Sequence, residues 1–185
     1  MSKKNETVSI SLFRRVINPM PTFLVTVASK DGQANPIAID WLTPISNNPP
    51  LLAFAIAPER HSYQMLCQNP AFVVNVMAYD RAAEVMICGR RTGKNEDKWA
   101  AAGLTPVPAQ VVNVSAIAEA LAHVECQVEA EYPGGDHVLV VGRVVAVAAD
   151  KGMLANGLRD LVAAPPILHV GAGRLTTSTG HYSAY

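Results

Sequence analysis

Residues 118–148 read AEALAHVECQVEAEYPGGDHVLVVGRVVAVA, and this stretch decides the class of the fold. In Ala118–Tyr132 the even positions are small or apolar, whereas most odd positions are Glu, His or Gln. Successive side chains of a strand point to opposite faces, so this period of two predicts a long strand with one face in water. Gly134-Gly135-Asp136 is a turn, and the mostly apolar Val138–Ala148 is predicted to return as the antiparallel partner.

The strand pattern continues towards the N-terminus. Thr22–Ser29 is rich in β-branched and aromatic residues, and the Asp31-Gly32 turn after it predicts a hairpin with Ala34–Leu42. Leu51–Ala57 is an unbroken apolar run that has the length of a strand buried on both faces. Thr43–Pro50, which lies between these strands, is rich in Pro, Asn and Ser and is predicted to be a loop.

The remaining segments are short strands and helices. Two further strands are predicted, at Ala71–Met77 and Pro166–Val170. One short helix is predicted to follow the turn at Pro58–Ser62 and to end at about Cys67. Further short helices are predicted at Asp80–Cys88, Asn95–Ala102 (ended by Gly103) and Met153–Leu161. There is no long βαβ unit and no Gly-rich dinucleotide fingerprint. The sequence therefore predicts a mainly β fold with short helices, most simply a small β-barrel.

Composition narrows the class of protein. The chain has 185 residues, of which 50% are hydrophobic and 16% charged, so we expect one folded domain over 1–185 with 1–18 as an N-terminal extension. The formal net charge is zero, which gives no electrostatic reason to expect a nucleic acid or an anionic membrane as partner. The excess of apolar residues hints at an interface between subunits.

Neither a leader nor a membrane span is predicted. Lys3 and Lys4 are followed by no apolar segment of the kind found in secretory signals, and no run approaches the roughly 20 apolar residues of a membrane span. The three cysteines, Cys67, Cys88 and Cys126, are widely spaced and indicate reduced thiols. We therefore expect a cytoplasmic location.

Two loops are candidates for binding. Arg60 and Ser62 lie at a predicted helix N-terminus, where free N–H groups, a guanidinium and a hydroxyl could receive a phosphate. The alternative is that Ser62 is an N-cap and Arg60 a solvated charge. In the second loop, Thr43 and Ser46 could offer hydroxyls to a polar heterocycle, although an ordinary turn would contain the same residues.

His137 is the histidine best placed for chemistry. It follows the Gly-Gly-Asp turn at the mouth of a hairpin, where the Asp136 carboxylate could orient its ring. The alternative is a hairpin-end histidine exposed to water. No set of residues shows metal-ligand spacing, so no metal is expected. A Gly-x-Ser-x-Gly elbow and a P-loop are also absent, which leaves hydrolase and kinase functions without support.

From about Pro19 to Leu175 the chain resembles the flavin reductase-like family, which includes flavin and ferric reductases, flavoredoxins and FMN-binding proteins. The resemblance rests on the order and spacing of several short motifs. These are Thr43-Pro44-Ile45-Ser46-Asn47-Asn48-Pro49-Pro50, Phe72-Val73-Val74-Asn75-Val76, Thr92-Gly93-Lys94, Asp97-Lys98-Trp99, Gly135-Asp136-His137 and Gly142-Arg143-Val144. Trp99 stands where the family usually has Phe.

The resemblance implies an FMN-binding split β-barrel that forms a homodimer, with FMN rather than FAD near the subunit interface. Carried over by position, the residues along the flavin ring and ribityl chain would be Trp41, Leu42, Thr43, Ser46 and Asn47. The segment from Ala57 to Ser62 would take the phosphate end, with Arg60 and Ser62 as ligands, although it departs from the family's usual Asn-Arg-Ser run. Lys98 is a further candidate for an anionic group.

His137 matches a position that faces the flavin and the nicotinamide in reductases of this family. The resemblance thus implies NAD(P)H-dependent reduction of flavin, or of ferric iron, by hydride transfer to the flavin. A second function is an FMN electron carrier that serves a partner redox protein or a monooxygenase and never binds nicotinamide. A third is the related pyridoxamine-phosphate oxidase type of barrel, which can hold other ligands.

Overall fold

The structure is a computed structural model that describes residues 6–178 and 180. Its strands are β1 (Met20–Pro21), β2 (Phe23–Ala28), β3 (Ala34–Ile39), β4 (Leu42–Asn47), β5 (Pro50–Ile56), β6 (Ala71–Val76), β7 (Pro106–Pro108), β8 (Ser115–Ile117), β9 (Ala122–Gly134), β10 (His137–Ala149), β11 (Leu154–Ala155), β12 (Leu158–Arg159), β13 (Leu168–Gly171) and β14 (Arg174–Thr176). The helices are α1 (Phe13–Ile17), α2 (His61–Leu66), α3 (Ala82–Arg90) and α4 (Lys98–Ala102), with single 3₁₀ turns at Ile10–Leu12 and Tyr79–Arg81. Within the described ranges no helix has the length and hydropathy needed to cross a membrane.

Seven of these strands form one antiparallel sheet in the order β3-β2-β6-β9-β10-β5-β4. Ile39 of β3 packs in the same core as Leu52 and Phe54 of β5, although four strands separate β3 from β5 in the sheet order. The sheet must therefore curl on itself, and the result is a partly closed barrel. The mainly β prediction is confirmed.

The interior of the barrel depends on a close approach at Gly142. A Cβ atom added there would overlap the ring of Phe72 and would lie 3.1 Å from the Cβ of Cys126. Phe72 in turn meets Phe54 edge to face, with ring centroids 5.0 Å apart. The register of β9 against β10 shifts between Val141 and Gly142, so a bulge accompanies this contact.

Glu125 departs from the pattern predicted for β9. Gln127, Glu129 and Glu131 are exposed as expected, but Glu125 is buried. Its carboxylate accepts hydrogen bonds from the backbone N–H groups of residues 110, 111 and 112, at 2.7, 2.7 and 3.0 Å. Burial raises the pKa of this carboxyl group, yet the three N–H donors outweigh that effect and the pKa is lowered. A charged side chain thus anchors the loop over the sheet.

Two predicted elements are wrong. Thr43–Pro50 is not a loop, because most of it forms β4, which pairs with β5 at the edge of the sheet. Pro44 is tolerated there because an edge strand needs only half of its backbone hydrogen bonds and a bulge follows this residue. Met153–Leu161 is not a helix but contains the β11–β12 hairpin. Its turn residues Asn156 and Gly157 have φ angles of 51° and 79°, a pair that suits a tight hairpin turn and not a helix.

Most other helices and strands begin and end within a few residues of the predicted positions. The long strand begins at Ala122 instead of Ala118, and the hairpins β2–β3 and β9–β10 are confirmed. The predicted helix at Asn95–Ala102 begins only at Lys98, because the Asp97 carboxylate caps it by accepting from the N–H of Trp99 at 2.9 Å. Gly103 ends that helix in the left-handed conformation, as predicted.

We expect Gly142→Ala to lower the free energy of unfolding by about 1–3 kcal/mol, the usual range for overpacking a dense core. The added methyl group must displace the ring of Phe72, which is fully buried. Urea unfolding followed by circular dichroism measures the effect. Val147→Ala, a change at an exposed position of the same strand, serves as the control and should change the stability by less than about 0.5 kcal/mol. Equal losses in the two variants would contradict this account of the core.

Candidate functional site

A cleft of about 190 Å³ opens where the ends of β3 and β5 meet the start of α2 and the segment that follows α3. Six of the ten predicted site residues line it: Trp41, Ala57, Arg60, Ser62, Lys98 and His137. The pairing of β5 with β10 explains part of this convergence. Val138 lies opposite Ile56, so the start of β10 is adjacent to the end of β5 and its exit towards α2.

One part of the cleft is hydroxylic and cationic. Arg60 is the N-cap residue of α2, and its side chain makes no capping hydrogen bond. Ser62 lies inside the helix and is only 2% exposed, and its Oγ accepts a hydrogen bond of 2.7 Å from the Asn35 side-chain amide. The N-cap alternative for Ser62 is therefore wrong, because Arg60 holds that position.

Lys98 is the most buried cation of the cleft, with 3% of its surface exposed. Its ammonium group donates to the carbonyl oxygen of Cys88 at 3.0 Å, and within the described residues no carboxylate lies within salt-bridge distance of it. Burial, reinforced by the charge of Arg60, lowers the pKa of Lys98 to about 8. The adjacent Trp99 donates its indole N–H to the carbonyl oxygen of Ala34 at 2.8 Å and so ties α4 to β3.

The charges that line the cleft are mostly positive. Arg14, Arg60, Arg91 and Lys98 face it, and Asp40 is the carboxylate among its lining residues. Arg91 is paired with Glu96 at 2.9 Å, which leaves the other three cations to set the local field. Such a surface favours a ligand that carries negative charge.

His137 and Trp41 form an aromatic part of the same cleft. Their ring centroids lie 4.9 Å apart, with the planes tilted by 44°, and the guanidinium of Arg14 lies 5.7 Å from the centroid of a Trp41 ring. His137 Nδ1 lies 2.7 Å from the Asp136 carboxylate. This hydrogen bond with His137 lowers the pKa of Asp136. The imidazole is therefore oriented on one side by a carboxylate and on the other by an indole.

The family model described as "Flavin reductase like domain" matches residues 13–174. The chain belongs to the flavin reductase-like family. An uncharacterised protein of Pyrococcus abyssi is 39% identical over 147 residues, which cover 80% of this chain and 84% of that protein. A flavin reductase of Pseudomonas putida is 33% identical over 135 residues, which cover 71% of this chain and 75% of that protein.

The fold of this flavin reductase-like chain also matches solved structures. An FMN-binding protein from Thermus thermophilus, crystallised with cyclohex-2-enone, superposes with a TM-score of 0.85 at 24% identity. The alignment covers 100% of both chains. A protein from Shewanella frigidimarina that is described as having a split barrel domain superposes with a TM-score of 0.85 at 19% identity, and the alignment covers 96% of this chain and 93% of that one. The split-barrel fold that the sequence predicted is thereby confirmed.

Four predicted residues lie outside the cleft of this flavin reductase-like chain. Leu42, Thr43, Ser46 and Asn47 are on β4, an edge strand whose side chains are largely exposed. The Thr43 hydroxyl donates to the carbonyl oxygen of Pro44 at 3.2 Å. Within one chain these residues do not converge with the other six.

Several residues of the site carry no signal in the sequence. Arg14 reaches the cleft from α1, which lies in the predicted N-terminal extension. Asp40 accepts a hydrogen bond of 2.6 Å from His169, a residue 129 positions away. No local signal could have paired these residues, because each contact joins distant segments. Among the described residues no group of three or more His, Cys, Asp or Glu side chains is placed to hold a metal ion.

We expect Lys98 to titrate near pH 8 in the protein without ligand. Folding disfavours its charged form, so the proton leaves at a lower pH than from a solvated lysine, whose pKa is about 10.4. NMR of protein labelled with ¹³C at the lysine Cε positions should show one signal with this midpoint, and that signal should be missing from Lys98→Met. An anion bound beside the ammonium should raise the midpoint. A set of lysine signals that all titrate above about pH 10 without ligand would contradict this description of the site.

Proposed function

We propose that the cleft holds FMN and that the protein catalyses NAD(P)H-dependent reduction of flavin. The observation that carries this proposal is the combination, in one cleft, of a cationic and hydroxylic part with an aromatic part. A phosphate suits the first part and a flat heterocycle suits the second. When bound, the isoalloxazine supplies the redox chemistry, because it can accept a hydride and pass electrons on. The protein contributes binding, orientation and electrostatics.

Arg60, Ser62 and Lys98 are proposed to hold the phosphate. The buried ammonium of Lys98 lacks a carboxylate partner in the described part of the chain, and a phosphate would supply the missing negative charge. Arg60 adds a guanidinium, and Ser62 adds a hydroxyl. The similarity to the flavin reductase of Pseudomonas putida supports flavin as the class of ligand. FMN is proposed rather than FAD, because FMN ends in a single phosphate of the kind that these three side chains would hold.

His137 is proposed to orient the nicotinamide. Its ring borders the cleft, is partly exposed, and is held between Asp136 and Trp41. A fixed imidazole edge beside a flat ligand can restrict how a second flat ring approaches, which raises the fraction of productive encounters. The protein would then transfer electrons to free flavin or to ferric iron.

A homodimer is also proposed, because large apolar side chains remain exposed on the N-terminal segment and on β4. On the N-terminal segment these are Ile10, Phe13, Val16 and Ile17, and on β4 the residue is Ile45. Burial of such side chains against a second copy would remove apolar surface from water. It would also give a role to β4, whose predicted flavin-binding residues do not face the cleft of their own chain.

Arg60→Ala should weaken FMN binding by about ten- to a hundredfold, because a charge-assisted hydrogen bond contributes about 1.5–3 kcal/mol. Riboflavin lacks the phosphate, so its affinity should hardly change. Quenching of flavin fluorescence by the apoprotein measures both affinities. Arg81→Ala is the matched control, since Arg81 pairs with Glu84 and does not line the cleft. A protein that quenches neither flavin at micromolar concentration would refute the proposed cofactor.

His137→Ala should leave FMN affinity nearly unchanged but slow flavin reduction by saturating NAD(P)H about tenfold or more, since misplacing a reactant is costly even when it binds. Reduction by dithionite, which needs no docking, should proceed at the wild-type rate. Anaerobic single-turnover reduction, followed by flavin absorbance, measures both rates. A wild-type rate of reduction in the variant would show that His137 does not orient the nicotinamide. No reduction by NAD(P)H even in wild type would favour the electron-carrier function.

A further inference from the structure

Asn35 lies behind the hydroxylic and cationic part of the cleft, next to Ser62. It is the second residue of β3, is 5% exposed, and is not among the residues that line the cleft. Its side-chain amide donates from Nδ2 to Ser62 Oγ at 2.7 Å. A buried amide therefore contacts directly the hydroxyl that faces the cleft.

This hydrogen bond determines what the hydroxyl can do. A serine hydroxyl has one proton to donate and two lone pairs. An NH₂ group can only donate, so Ser62 Oγ acts as the acceptor in the contact with Asn35 and keeps its own proton. Over residues 6–178 the proton of Ser62 finds no acceptor, and Ser62 lines the cleft. The hydroxyl is thus left as a donor for a ligand that carries acceptor oxygens.

Gly93 restricts the amide from the opposite side. A Cβ atom at Gly93 would overlap the Asn35 Oδ1 atom and lie 2.8 Å from its Cγ. Gly93 also lines the cleft, so the same backbone segment forms the wall and packs against the amide. The missing side chain lets this segment approach closely, and the amide is held between the loop and α2.

We infer that Asn35 is a positioning residue for phosphate binding: it accepts nothing from Ser62 and so directs the Ser62 hydroxyl proton into the cleft. This inference rests on the proposed function, because it assumes that a phosphate occupies this part of the cleft. Ser62 supplies a neutral donor, and Lys98 supplies the charge. Asn35 does not line the cleft, so it would act on the phosphate only through Ser62.

Asn35→Asp tests the inference with nearly the same side-chain shape. An aspartate can accept but not donate, so the Ser62 hydroxyl would turn its proton towards it and away from the ligand. We expect the affinity of the apoprotein for FMN to fall about tenfold or more, while the affinity for riboflavin stays within about twofold. Unchanged riboflavin binding also shows that the variant folds.

A double-mutant cycle separates this mechanism from simple charge repulsion. Ser62→Ala alone should weaken FMN binding, and adding Asn35→Asp to it should cost less than about threefold more, because no hydroxyl remains to be turned. An equal effect of Asn35→Asp in both backgrounds would mean that its charge acts directly on the phosphate, and would overturn the inference. An equal loss for FMN and riboflavin, or no loss at all, would also overturn it.

A failure of the proposed function would give a different pattern of flavin affinities from a failure of this inference. If wild type binds FMN and riboflavin equally, and Arg60→Ala changes neither affinity, then no phosphate occupies this part of the cleft. Should Asn35→Asp fail to fold, Gly93→Ala is the second test, because its methyl group displaces the Asn35 amide without adding charge. It should also weaken FMN selectively, and a variant with unchanged FMN affinity would again overturn the inference.

Discussion

The close contact between Gly142 and Phe72 inside the barrel sets the position of the strands that build the cleft. It brings β10 against β6 and leaves Phe72 in edge-to-face contact with Phe54 on β5. A slip of β10 by one residue would turn Gly142 away and drive a side chain into the Phe72 ring. The same slip would rotate His137 to the other face of the sheet. Packing in the core therefore decides which side chain borders the site.

Buried polar groups complete the barrel where apolar packing alone would not specify it. The Asn75 amide nitrogen lies within hydrogen-bonding distance of the carbonyl oxygens of Leu24 and Val73 and of the Thr26 hydroxyl, and its amide oxygen accepts from the N–H of Ile117. One amide thereby joins β2, β6 and β8. In the same way, the Glu125 carboxylate ties the loop at residues 110–112 to β9. Each group has several hydrogen-bond partners, so its burial is compatible with stability.

Two properties of the cleft favour a particular kind of ligand: the charge of its buried side chains and the direction of their hydrogen bonds. Lys98 is buried without a carboxylate partner among the described residues, and the low pKa that results marks a place where an anion is favoured. Ser62 accepts a hydrogen bond from Asn35, so its own proton remains available to the same kind of ligand. His137 is oriented by Asp136 and Trp41 at the aromatic part of the cleft. These three arrangements are consistent with a ligand that is phosphorylated at one end and planar at the other.

Local sequence is enough to specify the hairpins and the class of the fold, because strand alternation and tight turns depend on neighbouring residues. The Asp31-Gly32 turn, the Gly134-Gly135-Asp136 turn and the Gly103 helix end all lie at or next to the predicted positions. Motif resemblance identified the family and six residues that converge in the cleft.

Tertiary structure decided what local pattern could not record. The edge strand β4 contains residues typical of loops and is a strand because it pairs with β5, and Glu125 is buried at an apparently wet position because a distant loop supplies three N–H donors. The contacts of Arg14 with Trp41, and of Asp40 with His169, join segments that are far apart in the chain. Such contacts depend on how the whole sheet curls, and a single sequence carries no short-range signal of that curvature.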